Sequence, residues 1–109
     1  MNKSILPAAL LGLAICSPLM AETQTFELSI KNHNFEPSTL TIPLDERVKL
    51  VIKNEDATPE EFESHKLNRE KIIPGNSEGV VFVGPLYAGE YPFVGEFHEE
   101  SAHGKLIVK

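Results

Sequence analysis

Short runs of alternating apolar and polar residues, each broken by Pro or Gly, recur from residue 26 to the end of the chain and leave room for little but β-structure. Phe26, Leu28 and Ile30 form one face of a run whose other face carries Glu27, Ser29 and Lys31. Val48, Leu50 and Ile52 do the same against Arg47, Lys49 and Lys53, just after the turn signal Pro43-Leu-Asp-Glu. Tyr91 and Phe93 follow a turn at Tyr87-Ala-Gly89, and Leu106 and Val108 close the chain. Val80-Val-Phe-Val83 is continuously apolar, which predicts a strand held between two layers. Pro37, Pro43, Pro59, Pro74-Gly75, Gly84-Pro85 and Gly89 punctuate these runs. No long stretch has the helical period; Glu99 to Ala102 is expected to make one helical turn and no more. About five to seven strands at this spacing predict an all-β sandwich.

Residues 1–21 stand apart. A basic start at Lys3, an apolar run from Ile5 to Ile15 and a small residue at Ala21 have the layout of a cleavable signal peptide. The run is too short to span a bilayer stably. Export to the periplasm follows, with residues 22–109 as one mature domain. Cys16, the only cysteine, lies inside the leader; as a lipoprotein acceptor it would follow Ile15, which is bulky where such signals want a small residue. Cleavage after Ala21 removes Lys3 and no acid, taking the formal charge from −6 to −7. The mature chain then has no disulfide and no Met, so its own core, with help from a bound ion, must hold it. The acidic balance argues against nucleic acid and anionic membrane surfaces as partners, and is compatible with cations.

Three stretches in order are similar to the cupredoxin family. Phe35-Glu-Pro37 with Leu40-Thr-Ile42 resembles its F-x-P opening, and Asn54-Glu-Asp56 its N-x-D turn before the first metal ligand. Gly89-Glu-Tyr-Pro-Phe-Val-Gly95, His98 and Gly104-Lys-Leu-Ile-Val108 resemble its ligand-bearing ending, G-x-Y-x-F-x-C…H…G-x-L-x-V. Pro59-Glu-Glu-Phe-Glu-Ser64, Leu67-Asn-Arg-Glu-Lys71 and Gly84-Pro-Leu86 resemble the EfeO-type group more specifically. That resemblance implies a cupredoxin-like Greek-key β-sandwich, a periplasmic setting, a bound copper or iron ion and association with iron uptake. The departures are as informative. Gly95 stands where a blue-copper protein has its thiolate, Glu61 or Glu60 where it has its first histidine, and Ala102 or His103 where it has its methionine. Without the thiolate there is no blue-copper electron transfer.

Oxygen and imidazole remain. In extended backbone, residues two apart share a face, so Glu61 pairs with Glu63, and Glu96 with His98, while Phe62 and Phe97 turn away. Brought together at one end of the sandwich, these carboxylates would repel one another unless a cation or protons sat among them. The expected metal ligands are His98, Glu61, Glu63 and Glu96, with His103 and His33 as further donors. Glu55, Glu60, Glu99 and Glu100 read as solvated surface, and His65 as the weakest histidine candidate. Glu70 reads as one half of a surface ion pair. Such a donor set suits Cu(II), iron or zinc and disfavours Cu(I). The expected function is metal binding in support of ferrous iron uptake, by binding, transfer to an inner-membrane iron permease, or oxidation assisted by a periplasmic redox partner. The rival readings are a metal-free docking subunit of an exported complex and a Cu(II) carrier. Ser64 and His65 lie on opposite faces of one strand, so no nucleophile–base pair and no hydrolase is expected.

Overall fold

Strand β1 (Gln24–Lys31) turns back through two residues into β2 (Asn34–Glu36), and the chain then crosses to a second layer. The structure, a computed structural model, describes residues 22–109; the expected signal peptide and Cys16 lie outside them. The remaining strands are β3 (Thr39–Ile42), β4 (Val48–Asn54), β5 (Glu60–Ser64), β6 (Arg69–Ile73), β7 (Ser77–Val83), β8 (Gly89–Gly95) and β9 (His103–Val108). They form a sheet of order β2-β1-β4-β7 packed on one of order β3-β9-β8-β5-β6. β1 runs parallel to β4, and β3 to β9; every other pairing is antiparallel. This is the expected all-β sandwich of two sheets, with nine strands among the described residues where the alternation marked out about five to seven.

Alternation drives the layering. Leu28 and Ile30, Val48, Leu50 and Ile52, Tyr91 and Phe93, and Leu106 and Val108 all face the space between the sheets and are buried. At one end of that space Phe93 meets Phe35 edge-on at 4.9 Å and Phe62 at 5.2 Å, with Phe35 edge-on to Phe62 at 6.2 Å. Each such ring contributes about 1.5–3 kcal/mol by burial, beyond the pairwise aromatic attraction. Together the rings floor the pole at which the polar cluster described below sits.

The run at Val80-Val-Phe-Val83 corrects one expectation. β7 is the edge strand of its sheet, so only Val81 and Val83 pack inward, while Val80 and Phe82 face out. The Arg47 guanidinium lies 4.2 Å above the Phe82 ring and covers part of that apolar surface. A continuous apolar run thus arose from two half-filled faces, one of them capped by an arginine.

Candidate metal centre

Strand β5 begins with a carboxylate in the interior. Glu60 shares the inward face of β5 with Phe62 and Ser64, and its side chain is only 2% exposed. A buried carboxylate is tolerable only when its oxygens are hydrogen-bonded. Oε2 accepts from the backbone N–H groups of Glu61 (3.1 Å) and Phe97 (2.8 Å), and Oε1 lies 2.7 Å from Nδ1 of His98. The reading of Glu60 as solvated surface is therefore overturned. Of the two glutamates that could replace the family's first histidine, it is the one that points inward.

The Phe97 donor exists because the chain leaves β8 at Gly95 and enters a 3-10 turn at Glu96–His98. The expected helical turn thus begins three residues early. It separates Glu96 from His98, which extended backbone would have placed on one face. His98 turns in towards Glu60, and Glu96 stays exposed. Sequence periodicity could not locate this break, because nothing in Gly95-Glu-Phe-His98 carries a helical pattern.

Gly95 explains the missing thiolate. A Cβ at this position would stand 2.7 Å from the Glu60 carboxyl carbon and 2.7 Å from the Ala102 Cβ. The Glu60 carboxyl group occupies the space into which a side chain at 95 would project, and Ala102, fully buried, closes it from the other side. Glycine at 95 and glutamate at 60 are one structural choice. Of the two candidates for the methionine position, Ala102 is buried beside Gly95, while His103 opens β9 in solvent and lines a cleft of about 670 Å³ with Lys31, Asn34 and Lys105.

His33 reaches the same pole from the opposite sheet. It is the second residue of the Asn32-His33 hairpin tip, and both residues have left-handed backbone, with φ of 52° and 57°. Two-residue hairpins favour that conformation but usually place glycine second. The Asp56 carboxylate accepts from the backbone N–H of Asn32 (2.8 Å) and of His33 (3.0 Å), and lies 3.4 Å from the His33 Nδ1. Burial works to raise the Asp56 carboxyl, but these two N–H groups, helped by the His33 and His98 rings, hold it below the usual carboxylate range. Asp56 is itself fixed by buried Asn54, whose Oδ1 accepts the Asp56 N–H and whose amide donates to the carbonyls of Thr58, Ile73 and Pro74. The His33 ring stacks on His98 with centroids 3.6 Å apart and planes 12° from parallel.

His33, Glu60 and His98 each offer a donor atom within 4.8 Å of the others, and they are the one such group of three or more among the described residues. Rings stacked face to face do not aim their in-plane lone pairs at one point, so coordination by both imidazoles requires one ring to turn. Nitrogen and carboxylate oxygen fit Cu(II), iron or zinc; a thiolate-bound copper does not fit, because Glu60 fills the thiolate's space.

The other expected ligands gather elsewhere. Glu61 and Glu63 lie on the outward face of β5, where Glu63 stands opposite Glu70 on β6. A hydrogen bond shared with Glu96, partial burial and the Glu96 charge push the Glu63 carboxyl up to about 7. Partial burial, with the charges of Glu70, Glu96 and Glu60, also raises Glu61. Glu70, expected in an ion pair, instead joins this acidic group. His65 lies 3.7 Å from Glu63 with its ring almost wholly in solvent. Ser64 is structural: its hydroxyl donates to the Pro92 carbonyl and accepts the Leu67 N–H.

A two-layer β-sandwich carrying an imidazole–carboxylate pole defines the broad class, and comparison with known proteins places the chain within it. The family profile described as "Cupredoxin-like domain" matches residues 4–108, so the chain belongs to the cupredoxin-like family. An uncharacterized protein of Rickettsia prowazekii (strain Madrid E) is 40% identical over 82 residues, covering 75% of this chain and 66% of that one. The chain thus spans just under two thirds of that relative. A copper binding protein solved in the apo form has a TM-score of 0.71 at 20% identity, over 84% of this chain and 93% of that one. Auracyanin A, a blue copper protein from Chloroflexus aurantiacus, has a TM-score of 0.68 at 17% identity, over 81% of this chain and all of that one. The Cu(I)-bound metal binding domain of a Cu(I) exporting P-type ATPase from Streptococcus pneumoniae scores 0.69 at 13% identity, over 84% and 91%. At these identities the likeness is one of fold.

Two outcomes follow from the geometry. Gly95→Ala forces its Cβ into the Glu60 carboxyl and Ala102, and is expected to destabilise by about 1–3 kcal/mol in urea unfolding. In a Glu60→Ala background the same change should be milder, with a coupling of about 0.5–3 kcal/mol; strict additivity would contradict the shared-space account. The second outcome concerns pH. Folded Glu63 holds its proton up to about 7, whereas an unfolded glutamate releases it near 4.5. The folded state binds the extra proton between those values, so this contribution to stability is present at low pH and lost as pH rises through the window. The melting temperature should fall from roughly pH 5 to pH 8, and Glu63→Gln should flatten that fall and raise the value at pH 8. A wild-type profile parallel to that of Glu63→Gln would remove the shared-proton explanation.

Proposed function

We propose that this chain is an exported, periplasmic metal-binding module that holds Cu(II) or iron through His33, Glu60 and His98 and serves ferrous iron uptake. The convergence of those three donors within 4.8 Å, at the pole where the sequence resembles the family's ligand positions, carries the reading. Glu61, Glu63 and Glu96, with Glu70, form an outer carboxylate group that draws cations towards this end of the molecule. His103 takes no direct part. Bound at these donors, a copper ion would supply one-electron redox chemistry; the chain's own residues hold and orient it and keep it from soft-ligand chemistry. The EfeO-type motifs support the link to iron, with an inner-membrane permease or a periplasmic redox protein as partner. Phe97, 48% exposed beside His98, gives such a partner an apolar contact next to the centre.

Titration of the mature domain with Cu(II) should show one ion per chain, with Kd tighter than about 1 μM. Glu60→Gln and His98→Ala should each weaken binding tenfold or more. His33→Gly should weaken it while leaving the fold intact, because glycine suits the left-handed hairpin position. Affinity of micromolar or weaker that ignores all three substitutions would end the metal reading. In cells, loss of the chain should slow uptake of labelled ferrous iron at limiting supply, and restoration by the wild type but not by His98→Ala would tie that effect to the centre. Uptake unaffected by deletion would sever the link to iron and leave Cu(II) binding as the function.

A second reading, a metal-free docking subunit, is favoured by a specific observation: the Glu60 carboxylate is fully hydrogen-bonded by the protein itself. The two readings part in a melting experiment. A resident ion stabilises by RT ln(1 + [L]/Kd), so removing metal should lower the melting temperature, whereas the docking subunit melts alike with and without chelator.

A further inference from the structure

Asp56 contributes no atom to the His33–Glu60–His98 set, and yet its carboxylate accepts both backbone N–H groups of the His33 hairpin tip. Its two oxygens divide the work: Oδ1 accepts the Asn32 N–H, and Oδ2 accepts the His33 N–H and faces the His33 Nδ1 at 3.4 Å. The hairpin tip is also held from the far side, where the Ser101 hydroxyl donates to the His33 carbonyl. A non-glycine residue at this left-handed position is unfavourable unless its surroundings fix it, and an observed departure of this kind points to a role for the side chain that is kept. Asp56 supplies that fixing, and Asn54 in turn anchors Asp56 to the β4–β5 loop.

We propose that Asp56 is the positioning residue of the centre: it pins the Asn32-His33 hairpin tip over the pole and sets His33 as the Nδ1–H tautomer, leaving Nε2 as the metal donor. This rests on the metal reading above. The Nδ1–H form of His33 is the one that gains from a carboxylate oxygen 3.4 Å from Nδ1, and in that form Nε2 keeps the lone pair. Carboxylates that orient a ligating histidine in this way raise metal affinity about 10–100-fold. Without Asp56 the hairpin tip loses the acceptor for two backbone N–H groups, and His33 no longer presents a defined nitrogen beside His98 and Glu60.

The test combines a metal-free and a metal-loaded measurement on the mature domain. In alkaline buffer, where histidines are neutral, nitrogen-detected NMR of the wild type should show His33 as the Nδ1–H tautomer, and Asp56→Ala should shift it towards Nε2–H. With one equivalent of Cu(II), EPR should resolve coupling to two nitrogens in the wild type and one in Asp56→Ala, with affinity lower by about tenfold or more. A merely structural role would leave the nitrogen count at two. Wild-type His33 found as the Nε2–H tautomer, or two coupled nitrogens and unchanged affinity in Asp56→Ala, overturns the proposal. The wild-type tautomer needs no variant, so it decides the question even where Asp56→Ala does not fold. A wild type that binds no Cu(II) but shows the Nδ1–H form, lost in Asp56→Ala, overturns the metal reading and supports the pin.

Discussion

A carboxylate withdrawn from water is the constraint around which this pole is built. Leaving Glu60 unsatisfied in the interior would be strongly unfavourable, so donors must be brought to it. One comes from the next residue of β5 and one from Phe97, and the latter is available only because β8 stops at Gly95 and the chain coils. The same coil swings the His98 ring onto Oε1. Room for the carboxyl group then requires that residue 95 have no side chain and that residue 102 have a small one. Thiolate and carboxylate cannot occupy this space together. Glycine at 95 and a carboxyl group at 60 therefore go together, and the pole has its own set of hydrogen bonds.

Strand alternation keeps two charge systems apart although their residues are neighbours in sequence. Glu60 faces in and meets imidazole and backbone donors; Glu61 and Glu63 face out and meet other carboxylates. Of the inner set, the Glu60 carboxylate is buried and each of its oxygens has a hydrogen-bond partner. The outer set is destabilising at neutral pH, since like charges opposite one another across a ladder repel.

How much of this was legible in the sequence depends on which periodicity a segment obeys. The inward faces of β1, β4, β8 and β9 could be read directly, because one side of each is core and the other solvent. Val80 to Val83 misled because an edge strand tolerates apolar residues on its open face when an arginine lies over one of them. The pole was half legible. His98, His33 and Gly95 stood out by type and spacing, and the N-x-D turn marked Asp56 as a structural position. Glu60 did not stand out from Glu61, because Pro59-Glu-Glu-Phe62 gives no sign of which glutamate begins the inward phase. Counting back in steps of two from Phe62, itself expected in the core, would have settled it. The 3-10 turn was expected three residues later, at Glu99 to Ala102; what lies at residues 96–98 is a turn whose Phe97 N–H meets the buried Glu60 oxygen, a long-range contact that no local pattern marks.

The hydrogen-bonded state of Glu60 also bears on which ion the centre can favour. Both backbone donors bind Oε2, so they can hold the carboxyl group in place while Oε1 and the His98 nitrogen exchange their mutual contact for a metal. To ligate through Nδ1, His98 must give up the hydrogen it shares with Oε1, so that contact and an Nδ1–metal bond exclude each other. Turning one stacked imidazole off the other adds to what the ion must offset. An ion that binds nitrogen and oxygen weakly gains too little to break the closed arrangement, whereas one near the top of the divalent affinity order can do so. On the metal reading proposed above, this order favours Cu(II) over Fe(II) at the three donors. The hydrogen bonds of Glu60 to Glu61, Phe97 and His98 close the pole with the protein's own groups, and an ion must displace the His98 contact to enter.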